Sequence, residues 1–340
     1  MAKSSYDYWL ERERQQRELY MLEEAEQEAE ARRIYENMYA WTQKEIDAFY
    51  GKYATAEGID ITDAQKRVSQ VDIKAYEELA KYYVNKASEY RSENGTNGGI
   101  AFSDKAMQEM RLYNATMKIN RLELLKAQIG LHLVDGINDI DHYYEQVITD
   151  RTRKEIERQA GILGSTVTDA DVTARAKNIV NASFYNATFS DRIWSNMDNL
   201  KSDISIELQK GLIAGVSSRE MARRIKEHAF EKSFSDAHRL MVTELRRVQT
   251  DVAMDSYKSQ NIDRYIFMAV NPRACPICRK IDGNDYAVKD YQPGLNAPPM
   301  HPRCHCCTAP YVDESEYETW LSWLENGGST AEWNKRKKGR

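Results

Sequence analysis

All five cysteines of this 340-residue chain fall between Cys275 and Cys307, together with two of its six histidines, His301 and His305. The segment reads C-P-I-C-R-K-I-D-G and then, after a proline-bearing loop, P-P-M-H-P-R-C-H-C-C. Such a stretch has little apolar surface with which to fold, so it needs a cross-link. The first residues, M-A-K-S-S-Y-D-Y-W-L-E-R-E-R-Q-Q, lack the apolar centre of a secretory leader. No window of about 18 apolar residues suggests a membrane span. Synthesis in a reducing compartment is expected, where clustered thiols point to a metal ion rather than to disulfides.

Cys275 and Cys278 form a C-x-x-C turn stiffened by Pro276. A turn of this kind aims two sulfurs at one point and brings backbone amides near the thiolates. A loop with the turn signal Asp282-Gly283 and with Pro298, Pro299 and Pro302 then leads to His301 and Cys304. Zinc, borderline-soft and tetrahedral, takes four Cys or His ligands. The expected set is Cys275, Cys278, His301 and Cys304, with Cys306 as the alternative to either later ligand and Cys307 as a bystander. No βαβ pattern surrounds the pair as a thioredoxin-like motif requires. Neither H-E-x-x-H nor an H-x-E partner is present to argue for a catalytic zinc. A closed four-ligand site is structural, and its binding free energy, about 10–16 kcal/mol in small peptides, becomes folding free energy.

The rest of the chain reads as helix. Glycine and proline are sparse, 16 and 7 residues, among many Glu, Lys, Arg, Ala and Leu. The expected fold is mainly α with a small α+β, zinc-stabilised C-terminal domain. The net charge of -5 gives no overall pull toward nucleic acid. Residues 1–33 are dominated by Glu, Arg and Gln and read as a solvated or partner-seeking helix. Apolar stripes at helical period follow: Ile34, Met38, Trp41; Ile46, Phe49, Tyr50, Tyr53; Ile73, Tyr76, Leu79, Tyr83. Ser92–Gly99 is a break. Ser103 opens a helix through Met107, Met110, Tyr113, Met117, Leu124 and Leu125 to Ile129, with Gly130 as its stop. Gly161–Asp171 reads as loop, with Thr168 and Asp171 as a capping-box start. Trp194, Met197, Ile204, Leu208 and Leu212 make another stripe, closed at Gly215; Ser217 and Glu220 open the next helix. Arg264–Val270 is the one convincing strand. The expected segmentation is 1–100, a charged helical arm and helices; 101–160, a leucine- and methionine-rich helical region; 161–262, further helices; 263–312, the strand and zinc segment; and 313–340, a C-terminal helix with the basic tail Lys335, Arg336, Lys337, Lys338 and Arg340.

The C-terminal signature, C-P-x-C-x-x-x-D-G followed by P-P-x-H-P-x-C-x-C, resembles that of tailed-phage minor head proteins, the head morphogenesis or Mu F-like family. It is carried here by Cys275, Pro276, Cys278, Asp282, Gly283, Pro298, Pro299, His301, Pro302, Cys304 and Cys306. Upstream, G-L-I-A-G-V-S-S-R-E-M-A-R-R-I and R-L-E-L-L-K-A-Q-I (Arg121–Ile129) look like the family's helices, so the resemblance spans residues 110–312. It implies a virion component of the phage head interior near the portal vertex, made in host cytoplasm and acting in head assembly and genome ejection. The partners it implies are the portal protein, the major capsid or scaffold protein, and packaged DNA. It implies an interaction protein rather than an enzyme.

Two other classes carry their own residues. A zinc-dependent hydrolase or nuclease would draft Asp282 and His305 as acid and base; the plainer reading makes Asp282 a turn residue and leaves His305 exposed. An ADP-ribosyltransferase-like site, as linked to some relatives, needs an Arg-Thr-Glu where this chain has Val242, Thr243 and Glu244. A valine cannot grip a pyrophosphate, and Arg239 lies about one helical turn away. A nucleic-acid-binding module would use the basic tail with Arg273, Arg279, Lys280 and Arg303, but Asp282, Asp285 and Asp290 interrupt that stripe.

Overall fold

The computed structural model describes residues 4–53, 74–83, 85, 106, 121–329, 332–333 and 336. Ile73, the Ser92–Gly99 break, the helix start at Ser103 with Met107, Met110, Tyr113 and Met117, and the basic tail other than Arg336 lie outside them. The described residues are mainly helical with one small sheet, as expected. The helices are α1 (Ser5–Tyr53), α2 (Arg121–Leu163), α3 (Asp169–Val180), α4 (Phe189–Ile213), α5 (Ser218–Ile225), α6 (Glu231–Ser259), α7 (Pro276–Lys280) and α8 (Glu314–Glu325). The strands are β1 (Arg264–Met268), β2 (Asp285–Ala287) and β3 (Cys307–Pro310). The chain forms two compact units. The first comprises Met1–Gln27, Glu145–Phe189 and Arg239–Arg340; the second comprises Glu28–Tyr144 and Ser190–His238.

The second unit is a hydrocarbon core. From α1 it buries Ile34, Met38, Ile46, Phe49 and Tyr50; from α4, Trp194, Met197, Ile204, Leu208 and Leu212. These are the stripes that the 3.6-residue period picks out. Tyr76 and Tyr83 are buried too. Trp41 departs from its stripe: it is 45% exposed, with one ring face stacked on His132 at 4.9 Å and Lys44 over the ring at 4.4 Å. Gly130 does not stop a helix; α2 runs through it to Leu163. Ile129, Leu131 and Leu133 around it are all buried, and their burial outweighs the cost of about 1 kcal/mol for an internal glycine. Gly136 in the same helix is needed for close approach, since a Cβ there would meet the Met38 side chain at 2.1 Å.

The first unit is built differently. The opening turns of α1 place Tyr6, Trp9 and Leu10 against Met268, Val270 and Ala309 of the sheet region. Further along, the charges of residues 1–33 find internal partners. Arg158 holds Glu13 (2.8 Å) and Glu155 (2.7 Å), and the Tyr20 hydroxyl donates to Glu155 at 2.7 Å. Arg246 donates to Glu24 at 2.6 Å, and Arg151 to Glu23 at 3.0 Å, with its guanidinium 3.8 Å from the Tyr20 ring. A helix poor in apolar residues is thus anchored by ion pairs, which a hydrophobic pattern does not register. The sheet order is β2-β1-β3, antiparallel throughout, with Tyr265 opposite Tyr286 and Pro310 and Met268 opposite Cys307. The central strand is the predicted one, ending two residues early at Met268. Thr168 closes the predicted capping box with Asp171. No helix among the described residues is long and apolar enough to cross a membrane.

Candidate metal centre

β1 runs directly into the first ligand turn. Asn271 shapes the approach: its side-chain oxygen accepts from the Arg273 amide at 2.9 Å and its carbonyl from the Ala274 amide at 2.9 Å. Cys275 then caps the short α7, with Pro276 in the first turn where a missing N–H costs nothing. The Cys278 amide donates to the Cys275 sulfur at 3.4 Å, and this bond is the main reason the Cys275 thiol ionises below its ordinary range.

The loop that returns the chain to the site is ordered by Asn296, a buried residue with no sequence signature. Its side-chain oxygen accepts from the Gln292 amide and from Tyr265, and its amide donates to the Asp290 carbonyl. The loop delivers His301, whose Nδ1–H donates to the Pro302 carbonyl at 2.8 Å. A carbonyl can only accept, so this bond fixes the tautomer and leaves the Nε2 lone pair to face the sulfurs. Nε2 lies 3.3 Å from the Cys275 sulfur and 3.5 Å from that of Cys278. Two ligands of a tetrahedral zinc, with Zn–S near 2.3 Å and Zn–N near 2.05 Å, stand about 3.5 Å apart. The geometry fits.

Among the described residues, two groups are close enough to hold a metal ion: Cys275, Cys278 and His301; and Cys278, Cys304 and Cys306. In each, the ligand atoms lie within 4.8 Å of one another. Cys278 belongs to both. Cys278, Cys304 and Cys306 are buried, against Phe267 and Ala269. Cys304 gives up its proton most readily, well below the ordinary thiol range, because Cys278 and then Cys306 donate to its sulfur; those two are pushed up by the same sharing. A bound cation would take the place of the shared protons. All five thiols are free. The structure therefore brings Cys275 and Cys278 together with His301, and Cys278 together with Cys304 and Cys306, with Cys278 common to both groups. Cys307 joins neither group; it packs with Met268, Val270 and Ala309, and burial pushes its thiol well up.

The residues drafted for catalysis have structural partners. Asp282 accepts from the Tyr6 hydroxyl and the Ala269 amide through the same oxygen, both at 2.8 Å. His305 is not exposed as expected. It is half-buried with Arg246 donating to its Nδ1 at 3.3 Å, and burial followed by the nearby guanidinium lowers its pKa. Glu244 is buried and pairs with Arg247 at 2.7 Å. Arg247 also donates to the Ile179 and Val180 carbonyls, so it closes the end of α3. Thr243 supports the metal turn: its hydroxyl oxygen accepts at 3.2 Å from the amide of Arg303, which sits at φ 58 between His301 and Cys304. Nothing in the sequence marks that contact, since 60 residues separate the two.

Residues 202–309 match the family model described as Phage Mu protein F like protein, so that stretch is similar to this family. The matched segment contains every candidate ligand. No curated protein and no solved structure matches the chain.

Proposed function

We propose that this protein is a minor component of the phage head, associated with the portal on the inside of the capsid and acting in head assembly and genome ejection. The observation that carries the reading is the match over residues 202–309, within which the sulfur and imidazole ligands converge. In this reading Zn2+ is held by Cys275, Cys278, His301 and Cys304, with Cys306 as the alternative fourth ligand. When bound, the ion supplies a cross-link and no chemistry. It fixes the loop-rich segment between β1 and β3, which has too little apolar surface to close by itself. The partners are the portal protein and the major capsid or scaffold protein, with contact to packaged DNA through the basic tail. The structural roles of Asp282 and Glu244 support a non-enzymatic part.

Quantitative mass spectrometry of purified particles tests the reading. The chain is expected in the particle at a copy number well below that of the major capsid protein, and cross-linked to the portal. Detection in infected-cell lysate but never in particles would overturn it.

A further inference from the structure

A cavity of about 20 Å³ in the first unit is lined by residues of α1, α2, α6 and β3, among them Arg17, Gln159, Arg246 and Thr308. Gln159, Arg246 and Thr308 are 2%, 4% and 4% exposed. Four buried polar atoms on these residues have no hydrogen-bond partner among the described residues: Arg17 Nε, Arg246 Nε, Gln159 Oε1 and Thr308 Oγ1. Their neighbours explain why. The two outer nitrogens of Arg246 are taken by Gln249 and Glu24. The Gln159 amide nitrogen donates to Glu155 at 2.9 Å, which fixes the other end of that side chain as the oxygen. Buried polar groups of this kind are matched in folded proteins, by protein or by ordered water.

The donor set decides the ligand. Guanidinium groups exclude a cation. The Gln159 oxygen, with Glu13 and Glu155 also in the lining, excludes an anion. The volume holds one water and little more, since a single water needs at least about 10–15 Å³. A water accepts two hydrogen bonds and donates two. Two Nε–H donors, one amide oxygen and one hydroxyl are the complement of that. We propose that this cavity is the site of a single internal water that joins α1, α2 and α6 to β3, the strand that follows directly from Cys306. The inference depends neither on zinc nor on the phage-head reading.

The test is a structure of the full chain at a resolution that shows waters, with a parallel bromide soak. The expected result is one spherical peak within hydrogen-bonding distance of at least three of the four atoms, and no anomalous halide signal. An absent peak, or a halide at that place, overturns the proposal. In solution, oxygen-17 relaxation dispersion gives a second readout on Thr308→Val and Thr308→Ser. Exchange of one long-lived water is expected to quicken at least about tenfold in the valine variant and to stay unchanged in the serine variant. Equal exchange in both variants and wild type would remove Thr308 from the site.

Discussion

The two units bury different chemistry. The first encloses Arg151, Glu155, Glu244, Arg246, Arg247 and the cysteine cluster. The second encloses Leu, Ile, Met and aromatic side chains, and its buried polar residues among those described are Thr42, His132, Asn138, Glu207 and Ser233. In a hydrocarbon core, stability scales with volume filled, and a lost methylene is a local loss. In an ionic core, each group depends on a partner, and a lost partner leaves a charge that cannot return to water. The units should therefore fail under different insults.

The largest difference should come from metal. Cys278 belongs to both ligand groups, so Cys278→Ser damages either arrangement. With zinc bound in the wild type, the variant or a strong chelator should cost the first unit roughly 5 kcal/mol or more. The second unit should keep its helical signal. Calorimetry with metal analysis measures this, and a chelator that leaves both transitions unmoved would erase the proposed distinction.

Next in size is the ion network. Arg158→Met leaves Glu13 and Glu155 facing each other's neighbourhood without a cation and should cost about 3–5 kcal/mol in denaturant unfolding. Acid should act on the same place. Burial alone would raise the Glu155 pKa, but Arg158, Gln159 and Tyr20 outweigh it, so the folded value lies below the ordinary one. The resulting stability is complete above the unfolded carboxylate value, near 4.3, and is lost as pH falls through the folded value. Arg158→Met should remove most of that acid step. In the second unit, Leu208→Ala should cost about 2–5 kcal/mol by leaving a cavity, with no dependence on pH or chelator.

What was legible in the sequence follows the same division. The stripes of the second unit announce themselves because burial at every third or fourth residue is a periodic signal, and Met197, Leu208 and Leu212 lie where that period puts them. The convergence of the cysteines with His301 was legible from spacing, since sulfur and imidazole chemistry leaves few other uses for C-x-x-C with H-P-x-C. The ionic core was not. Glu13, Glu24 and Arg158 look like any solvated charges until the fold sets them against each other, and residues 1–33 therefore read as an arm. Thr243 and Asn296 were hidden for the same reason, because each acts through a backbone group or side chain far away in sequence or inside an irregular loop.

The smallest predicted effect tests the contrast where the two units use the same device. Thr168 in the first unit and Ser217 in the second each cap a helix by accepting from the amide three residues on, at 3.2 and 3.3 Å. The first box is reciprocal: the Asp171 carboxylate accepts from both the Thr168 amide and its hydroxyl. In the second, Glu220 turns outward to Arg223 and Arg224, and these bonds hold its pKa down to about 2. Those pairs sit in water, where such contacts contribute little to folding. Thr168→Ala should therefore cost about 1–2 kcal/mol and Ser217→Ala about 0.5–1 kcal/mol, because the first breaks two bonds to the helix start and the second breaks one. Added salt should leave that ordering unchanged, since neither cap bond relies on the exposed arginines. Equal losses in the two alanine variants would mean that the bond from the Thr168 hydroxyl to the Asp171 carboxylate contributes nothing beyond the cap bond that both helices share.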